Sequence, residues 1–270
     1  MTTDSSAEPP ILNTPDVISA ILAAIQAGEL RPGDQVPTNA QLAARYGVHR
    51  NTASKAVHHL KSTGVLSGPA GGKTWVRVPP PVTVRRNTRY HDELAAIEKP
   101  EAERAVLGVS ETDTGISISD LHENGAKYDK VEGPGPLCEI FDIPTGSFLL
   151  RRTYTRRHVE FAGISRSTSY LPYDLVKDHP DLLDSTKEPW PGGTMHQLAS
   201  IGIQVGKIVE WVTCTMPTTD EMGDYDIPPG VPIVNIQKRT YDTAGRVVEI
   251  AEIPLAGDRT TLVYTTELRA

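Results

Sequence analysis

The chain has 270 residues, with 27 Lys and Arg against 34 Asp and Glu, a formal charge of −7. That length admits two domains. A hydrophobic content of 38% with no run long enough to cross a bilayer excludes a helical membrane protein, and the polar, acidic start MTTDSSAEPP does not read as a signal peptide.

The total hides a split. Residues 1–34 carry one Arg and five acids, whereas 35–91 carry nine Lys and Arg with no Asp or Glu at all. The remainder is strongly acidic. An acid-free block on an acidic protein points to a polyanionic partner for that block alone, with a basic surface that has no partner as the alternative.

Residues 1–12 read as a disordered tail. A helix follows, with Thr14 as cap and Pro15 at its first position. Val17, Ile18, Ile21, Leu22 and Ile25 form one apolar face, and Gly28 ends it. After the RPGDQVP turn, Thr38-Asn-Ala-Gln41 reads as a capping box that opens a second helix. Leu42, Ala43 and Tyr46 face inward, and Gly47 stops the helix. Only Val48 and His49 precede a third helix, Arg50 to Ser62, with Ala53, Ala56, Val57 and Leu60 inward and Gly64 at its end. Two short helices around a tight glycine turn make a helix-turn-helix. Strands at Val65–Ser67 and Thr74–Val78 enclose the tip GPAGGK, a wing carrying Lys73. Trp75 reads as core. His58 and His59 point to different faces and read as surface or packing residues rather than metal ligands.

The stretch PGDQVPTNAQLAARYGVHRNTASKAVHHLKSTGVLSGPAGGKTWV, within residues 14–78, resembles the winged-helix DNA-binding domain of GntR-type bacterial transcription regulators. Arg50 and Thr52 keep the family pattern. Ala40, His49 and Ser54 depart from it, and Ala40 stands where the family commonly has a DNA-contacting Arg. Together with the chemistry of the side chains, the resemblance gives each residue a role. Arg50 is the candidate base contact, bidentate to guanine, with a phosphate contact as the alternative. Asn51 and Thr52 are lesser base or phosphate candidates. Thr38 and the free N–H groups of its helix suit a phosphate. Arg45, Lys55 and Lys73 suit backbone positioning, and His49 completes the set.

VPPPVTVRRNTRYHDEL reads as a semi-stiff connector over 79–91. Arg85, Arg86 and Arg89 could serve DNA flanks or a domain interface. Residues 92–270 read as a second domain. A helix over 91–107 with a break at Pro100 precedes strands at 116–121, 147–157, 163–170, 204–215, 232–241 and 246–254. Short helices are expected at 137–141, 175–179, 194–201 and 219–223. The pattern is α+β with a mostly antiparallel sheet. Asp142-Ile-Pro-Thr-Gly146 and Asp226-Ile-Pro-Pro-Gly230 each precede a strand ending Arg-Thr-Tyr, an echo that suggests two half-units in one sheet.

Through IPTGSFLLRRTYTRR, STSYLP and IPPGVPIVNIQKRTYDTAGRVVEI, this region resembles the UTRA effector domain found behind GntR-type heads in the HutC-like subfamily. The resemblance implies a chorismate-lyase-like fold, a homodimer and a bound small molecule. On that basis Arg152, Arg156, Ser165, Ser167, Tyr241 and Glu249 are the candidate effector residues. Arg152 and Arg156 share strand parity, which suits an anionic effector, although a solvated strand face would show the same parity. Cys138 and Cys214 lack a CxxC partner and read as free, buried thiols in a reducing cytoplasm. No motif for a catalytic triad, zinc, P-loop or dinucleotide occurs, so no catalytic residue, metal or cofactor is expected. The expected protein is a dimeric regulator on a palindromic operator in double-stranded DNA. Repression is the expected direction, since blocking a promoter needs no extra contact surface. The alternative is an enzyme on the second domain with the head as a tether.

Overall fold

A computed structural model describes residues 12–69, 71–78, 82–105, 121–158 and 164–268. It divides into two compact units, one ending at Pro79 and including 228–231, the other holding the rest. All but Leu12 of the expected tail at 1–12 and most of the expected strand at 116–121 lie outside the described residues. Of the two cysteines expected to be buried, Cys138 is and Cys214 is exposed.

In the first unit, α1 (Thr14–Gln26), α2 (Asn39–Tyr46) and α3 (Arg50–Ser62) surround a core of Val17, Ile21, Leu42, Ala53, Ala56 and Leu60. The cap of α1 is Asn13, not Thr14. Asn13 Oδ1 accepts from the Asp16 N–H at 3.3 Å, and Asp16 Oδ2 accepts from the Asn13 N–H at 2.7 Å. A cap at Thr14 would place Val17, which has no acceptor, where the reciprocal bond is made. Gly47 adopts φ 65° and turns the chain between α2 and α3. β1 (Leu66–Ser67) pairs antiparallel with β2 (Trp75–Val76), and Gln35 bridges to Trp75, so the wing is shorter than its sequence suggests but has a third partner.

The second unit begins inside the stretch read as a connector. There β3 (Thr83–Arg86) pairs in parallel with β10 (Thr260–Val263), and α4 (Arg89–Ala96) follows, then α5 (Glu101–Ala105). The main sheet holds β4 (Leu121–Glu132), β5 (Phe148–His158), β6 (Ile164–Pro172), β7 (Val205–Thr215), β8 (Ile233–Asp242) and β9 (Val247–Ala256). Their order is β4-β5-β6-β9-β8-β7, all antiparallel. Two three-strand halves therefore meet at β6 and β9, as the internal echo suggested. The echo is also local. α6 (Gly135–Phe141) ends on Asp142 at φ 55°, and a later helix (Thr219–Tyr225) ends on Asp226 at φ 49°. Both aspartates occupy the left-handed region that aspartate tolerates better than most side chains. α6 packs Leu137 and Phe141 against Leu149 and Ile250 on one face of the sheet. On the other face, α7 (Tyr173–Val176), α8 (Pro180–Leu183) and α9 (Gly193–Ser200) bring Val176, Leu182 and Leu198 onto Leu150, Leu171 and Val248. The Thr219–Tyr225 helix is α10.

Candidate DNA-binding face and effector site

The start of α3 is built from the His49 cap. Its Nδ1 accepts from the Asn51 N–H at 3.2 Å, which fixes the ring and leaves Nε2 as its outward donor. Arg50, Asn51 and Lys55 are exposed and Thr52 is half-buried, as the outward face of the helix requires. The first turns of α2 and α3 carry no acid. Thr38 makes the expected capping box, with the Gln41 N–H at 3.3 Å and Gln41 Oε1 on the Thr38 N–H at 2.9 Å. The Asn39 and Ala40 N–H groups lie ahead of any intrahelical acceptor and remain available to an anion. Arg45 is shared, since it reaches Glu29 at 3.3 Å and lies 5.6 Å from the Tyr46 ring centroid.

The wing explains a lysine that sequence reasoning left unassigned. Lys61 Nζ donates to the Gly68 and Pro69 carbonyls at 3.2 and 3.1 Å and ties the wing to α3. Gly68 has φ 123°, and a Cβ there would sit 2.3 Å from the Lys73 carbonyl oxygen, so only glycine fits beneath the tip. Lys73 itself is exposed, as are His58 and His59.

In the second unit Arg152 lies at the centre of a buried polar cluster. It is 2% exposed and bonds Ser169 Oγ at 2.9 Å, Gln197 Oε1 at 2.5 Å, Thr194 Oγ1 at 3.3 Å and Glu249 Oε1 at 2.9 Å. Glu249 takes Thr240 Oγ1 at 2.9 Å and Lys238 Nζ at 2.8 Å on its other oxygen. Burial pushes the Glu249 carboxyl up, but Lys238 and Arg152 outweigh it and hold the group at about 2. Burial likewise opposes the Arg152 charge, and the surrounding Tyr154, Glu249 and Glu188 sustain it. Beside this pair, Glu188 Oε1 accepts from Tyr128, from Tyr154 at 3.1 Å and from Gln197 Nε2 at 3.0 Å, while Oε2 accepts from the Trp190 N–H at 2.8 Å. Burial raises the Tyr128 hydroxyl to about 12, against the pull of Arg152. On α4, burial keeps the Glu93 carboxyl above its ordinary range, opposed by Lys238 and Arg89.

Arg152 and Glu249 are thus brought together. Strand register puts Arg156 opposite Ser165 and Tyr154 opposite Ser167, so Arg156, Ser165 and Ser167 continue the same face along β5 and β6. Tyr241 does not join them. The register of β8 and β9 shifts after Thr240, Lys207 Nζ lies 4.4 Å from the Tyr241 ring centroid, and Thr240 meets Glu249 instead. Tyr128, Ser169, Glu188, Thr194, Gln197, Lys238 and Thr240 were missed. The alternation of Lys238 with Thr240, and of Arg152 with Tyr154, carried a signal for part of the set. An open groove of 560 Å³ lies on the opposite face of the sheet, lined by Arg166, Trp211, Tyr225, Arg239 and Glu252 among others.

Arg85, from the stretch read as a connector, is buried on Glu210. Its Nε and Nη2 lie 3.2 and 2.5 Å from Glu210 Oε1, which also accepts from Tyr90 at 2.5 Å. Among the described residues no group of three or more His, Cys, Asp or Glu is placed to hold a metal, and no helix is long and apolar enough to cross a membrane.

Residues 14–76 match the model of the gntR family of bacterial regulatory proteins, and residues 126–261 match that of the UTRA domain. The chain is 22% identical over 250 residues to the HTH-type transcriptional repressor NagR of Bacillus subtilis, covering 92% of each. A crystal structure of a GntR-family transcriptional regulator, 20% identical, superposes with a TM-score of 0.63 over 95% of this chain and 98% of that one. PhnF from Mycobacterium smegmatis, 16% identical, gives 0.50 over 94% and 100%.

Proposed function

Because the chain belongs to the UTRA-domain members of the gntR family of bacterial regulatory proteins, we propose that this DNA-binding transcriptional regulator is a repressor controlled by a small anionic effector. The family consists of regulators, and nothing in it supports the enzyme alternative. The observation that carries the reading is the acid-free start of α3, with Arg50, Asn51 and Lys55 exposed on one helix face. Placed in a major groove, that face offers Arg50 to a base edge and Lys55 to the backbone, while Thr38 and its helix start, Arg45, His49, Thr52 and Lys73 hold phosphates or flanking edges. A homodimer presents two such helices to a two-fold-symmetric operator in the cytoplasm.

The effector site is the Arg152 face, with Glu249, Arg156, Ser165 and Ser167. An effector carboxylate or phosphate competes there with Glu249 and Glu188 for Arg152, Lys238 and the two tyrosines. Displacing those internal partners supplies a difference between free and bound states, and a coupling of about 1–3 kcal/mol to DNA affinity is typical of such linkage. The test is selection of duplexes from a random library at about 150 mM salt. The expected result is a two-fold-symmetric motif that Arg50→Ala no longer enriches. Weak, salt-sensitive retention without a motif, both alone and with a panel of anionic metabolites, would overturn the reading.

A further inference from the structure

Two internal carboxylates meet the Arg152 face, and they are held in different ways. Glu249 belongs to β9, inside the sheet, with Arg152 on one oxygen and Lys238 and Thr240 on the other. Glu188 belongs to no strand. It comes from residues 184–192, the segment that joins α8 to α9.

The backbone of that segment is bonded to itself. Asp184 Oδ1 accepts from the Thr186 N–H at 2.9 Å, and a 3-10 turn over Ser185–Lys187 follows. The Lys187 and Glu188 N–H groups bond the Asp184 and Ser185 carbonyls at 3.2 and 3.3 Å. Among the described residues, no backbone-to-backbone hydrogen bond joins the segment to the sheet. Its two ends are anchored in the apolar cluster, one by Leu182 and one by Trp190, and Trp190 Nε1 also donates to His196 Nδ1 at 2.9 Å. Between these anchors the one printed ion pair, Lys187 with Asp181, is exposed and worth little.

What draws the span onto the sheet is the Glu188 side chain. Its Oε1 accepts from the Tyr128 and Tyr154 hydroxyls, on β4 and β5, and from the Gln197 amide. The Arg152 guanidinium lies 6.0 and 5.9 Å from the centroids of the same two rings and bonds the oxygen of that same amide. Two hydroxyls and an amide beside a buried guanidinium are the donor set of an anion site. The chain's own carboxylate fills it.

We propose that Glu188 is a tethered internal ligand: residues 185–189 form a strap that closes the effector site, and an effector enters by displacing this carboxylate and not Glu249. The proposal rests on the reading of the Arg152 face as the effector site and adds a filter to it. A strap that is open in only a fraction of molecules weakens every ligand by that fraction. A tethered competitor also acts at high effective concentration. A bare inorganic anion offers nothing that Glu188 does not already supply. The effector is therefore an organic anion, whose remaining atoms make the contacts that tip the exchange.

The probe is inorganic phosphate, titrated by isothermal calorimetry into the full chain and two variants. Glu188→Gln keeps the length and removes the charge. Glu188→Asp keeps the charge and shortens the reach. Both are expected to bind phosphate at least about tenfold more tightly than the wild type. A Gln variant no tighter than wild type overturns the proposal. So does a gain in the Gln variant with none in the Asp variant, because repulsion by a charge, and not occupancy by a tethered group, would then be the cause. If Glu188→Gln does not fold by circular dichroism, Glu188→Asp alone decides. Phosphate bound by the variants is also expected to shift their affinity for a selected operator. Tighter phosphate binding without that shift keeps the strap and overturns the effector-site reading.

Discussion

Glu249→Gln tests the electrostatic account of the second unit. The carboxylate is 1% exposed and lies 2.9 Å from Arg152 Nη2 and 2.8 Å from Lys238 Nζ. Glutamine keeps the shape and removes the charge, which leaves two cations without their shared counter-ion. Two routes give similar magnitudes. Holding the carboxyl at about 2 rather than 4.5 corresponds to about 3 kcal/mol of stability at neutral pH. Removing one partner of a buried ion pair costs about 3–5 kcal/mol in general. The sign follows from linkage. A folded pKa below the unfolded one gives stability that is present above about pH 4.5 and lost as pH falls towards 2. Urea unfolding of the full chain, followed by circular dichroism from pH 7 downwards, is the assay. The variant keeps the other depressed carboxylates, so it is expected to lose about 3 kcal/mol or more at pH 7 and to show a shallower acid-side decline than the wild type. A variant within about 0.5 kcal/mol of wild type at pH 7, or one with an undiminished acid slope, would refute the reasoning.

On a selected operator, Arg50→Ala is expected to weaken specific binding by about 1–3 kcal/mol in fluorescence anisotropy. Arg45→Ala should cost less, about 1 kcal/mol or below, because Glu29 already competes for that guanidinium. Gly68→Ala should destabilise the first unit by about 1–3 kcal/mol in thermal unfolding, since its Cβ would strike the Lys73 carbonyl. Glu93→Gln should stabilise the protein at pH 7. Burial raises the folded carboxyl, so wild-type stability falls as pH rises through that value, and a flatter pH profile in the variant checks it.

The first unit was legible because its signals are local. Thr38 and Gln41 lie three residues apart and Gly47 marks its own turn, and both behave as spacing alone suggests. The Asn13 cap was misplaced by one residue because Thr14 and Pro15 form an equally plausible start. In the second unit, the strands β5 to β9 were read from the sequence, but β4 was not. LHENGAKYDKVE is a polar edge strand, and the charges that guard an edge erase the pattern that reveals a strand. Arg152 and Glu249 were each named from the family resemblance as effector candidates, and their ion pair came only with the structure. The neighbouring Gln197 and Glu188 were not named, because they come from segments distant in sequence and carry no periodic signal. The connector reading failed for a related reason. VTVRR is too short to show its parallel partner, Thr260–Val263, which lies 177 residues further on and is continued where Asn87 exchanges hydrogen bonds with Thr265.

The fate of individual cations in the block bears on ion release at DNA. Lys61 holds two wing carbonyls and Arg85 is buried on Glu210, so these two displace few condensed counterions from a duplex, while Arg45, shared with the exposed Glu29, displaces fewer than a free cation would. Arg50, Lys55 and Lys73 remain on the head as exposed donors. Each neutralised phosphate contributes a slope of about −0.9 to the logarithmic dependence of affinity on salt. The slope per protomer is therefore set by the exposed cations that reach phosphates and not by the block's formal charge. This regulator should hold its operator through changes in ionic strength that would strip a protein whose positive side chains all faced DNA.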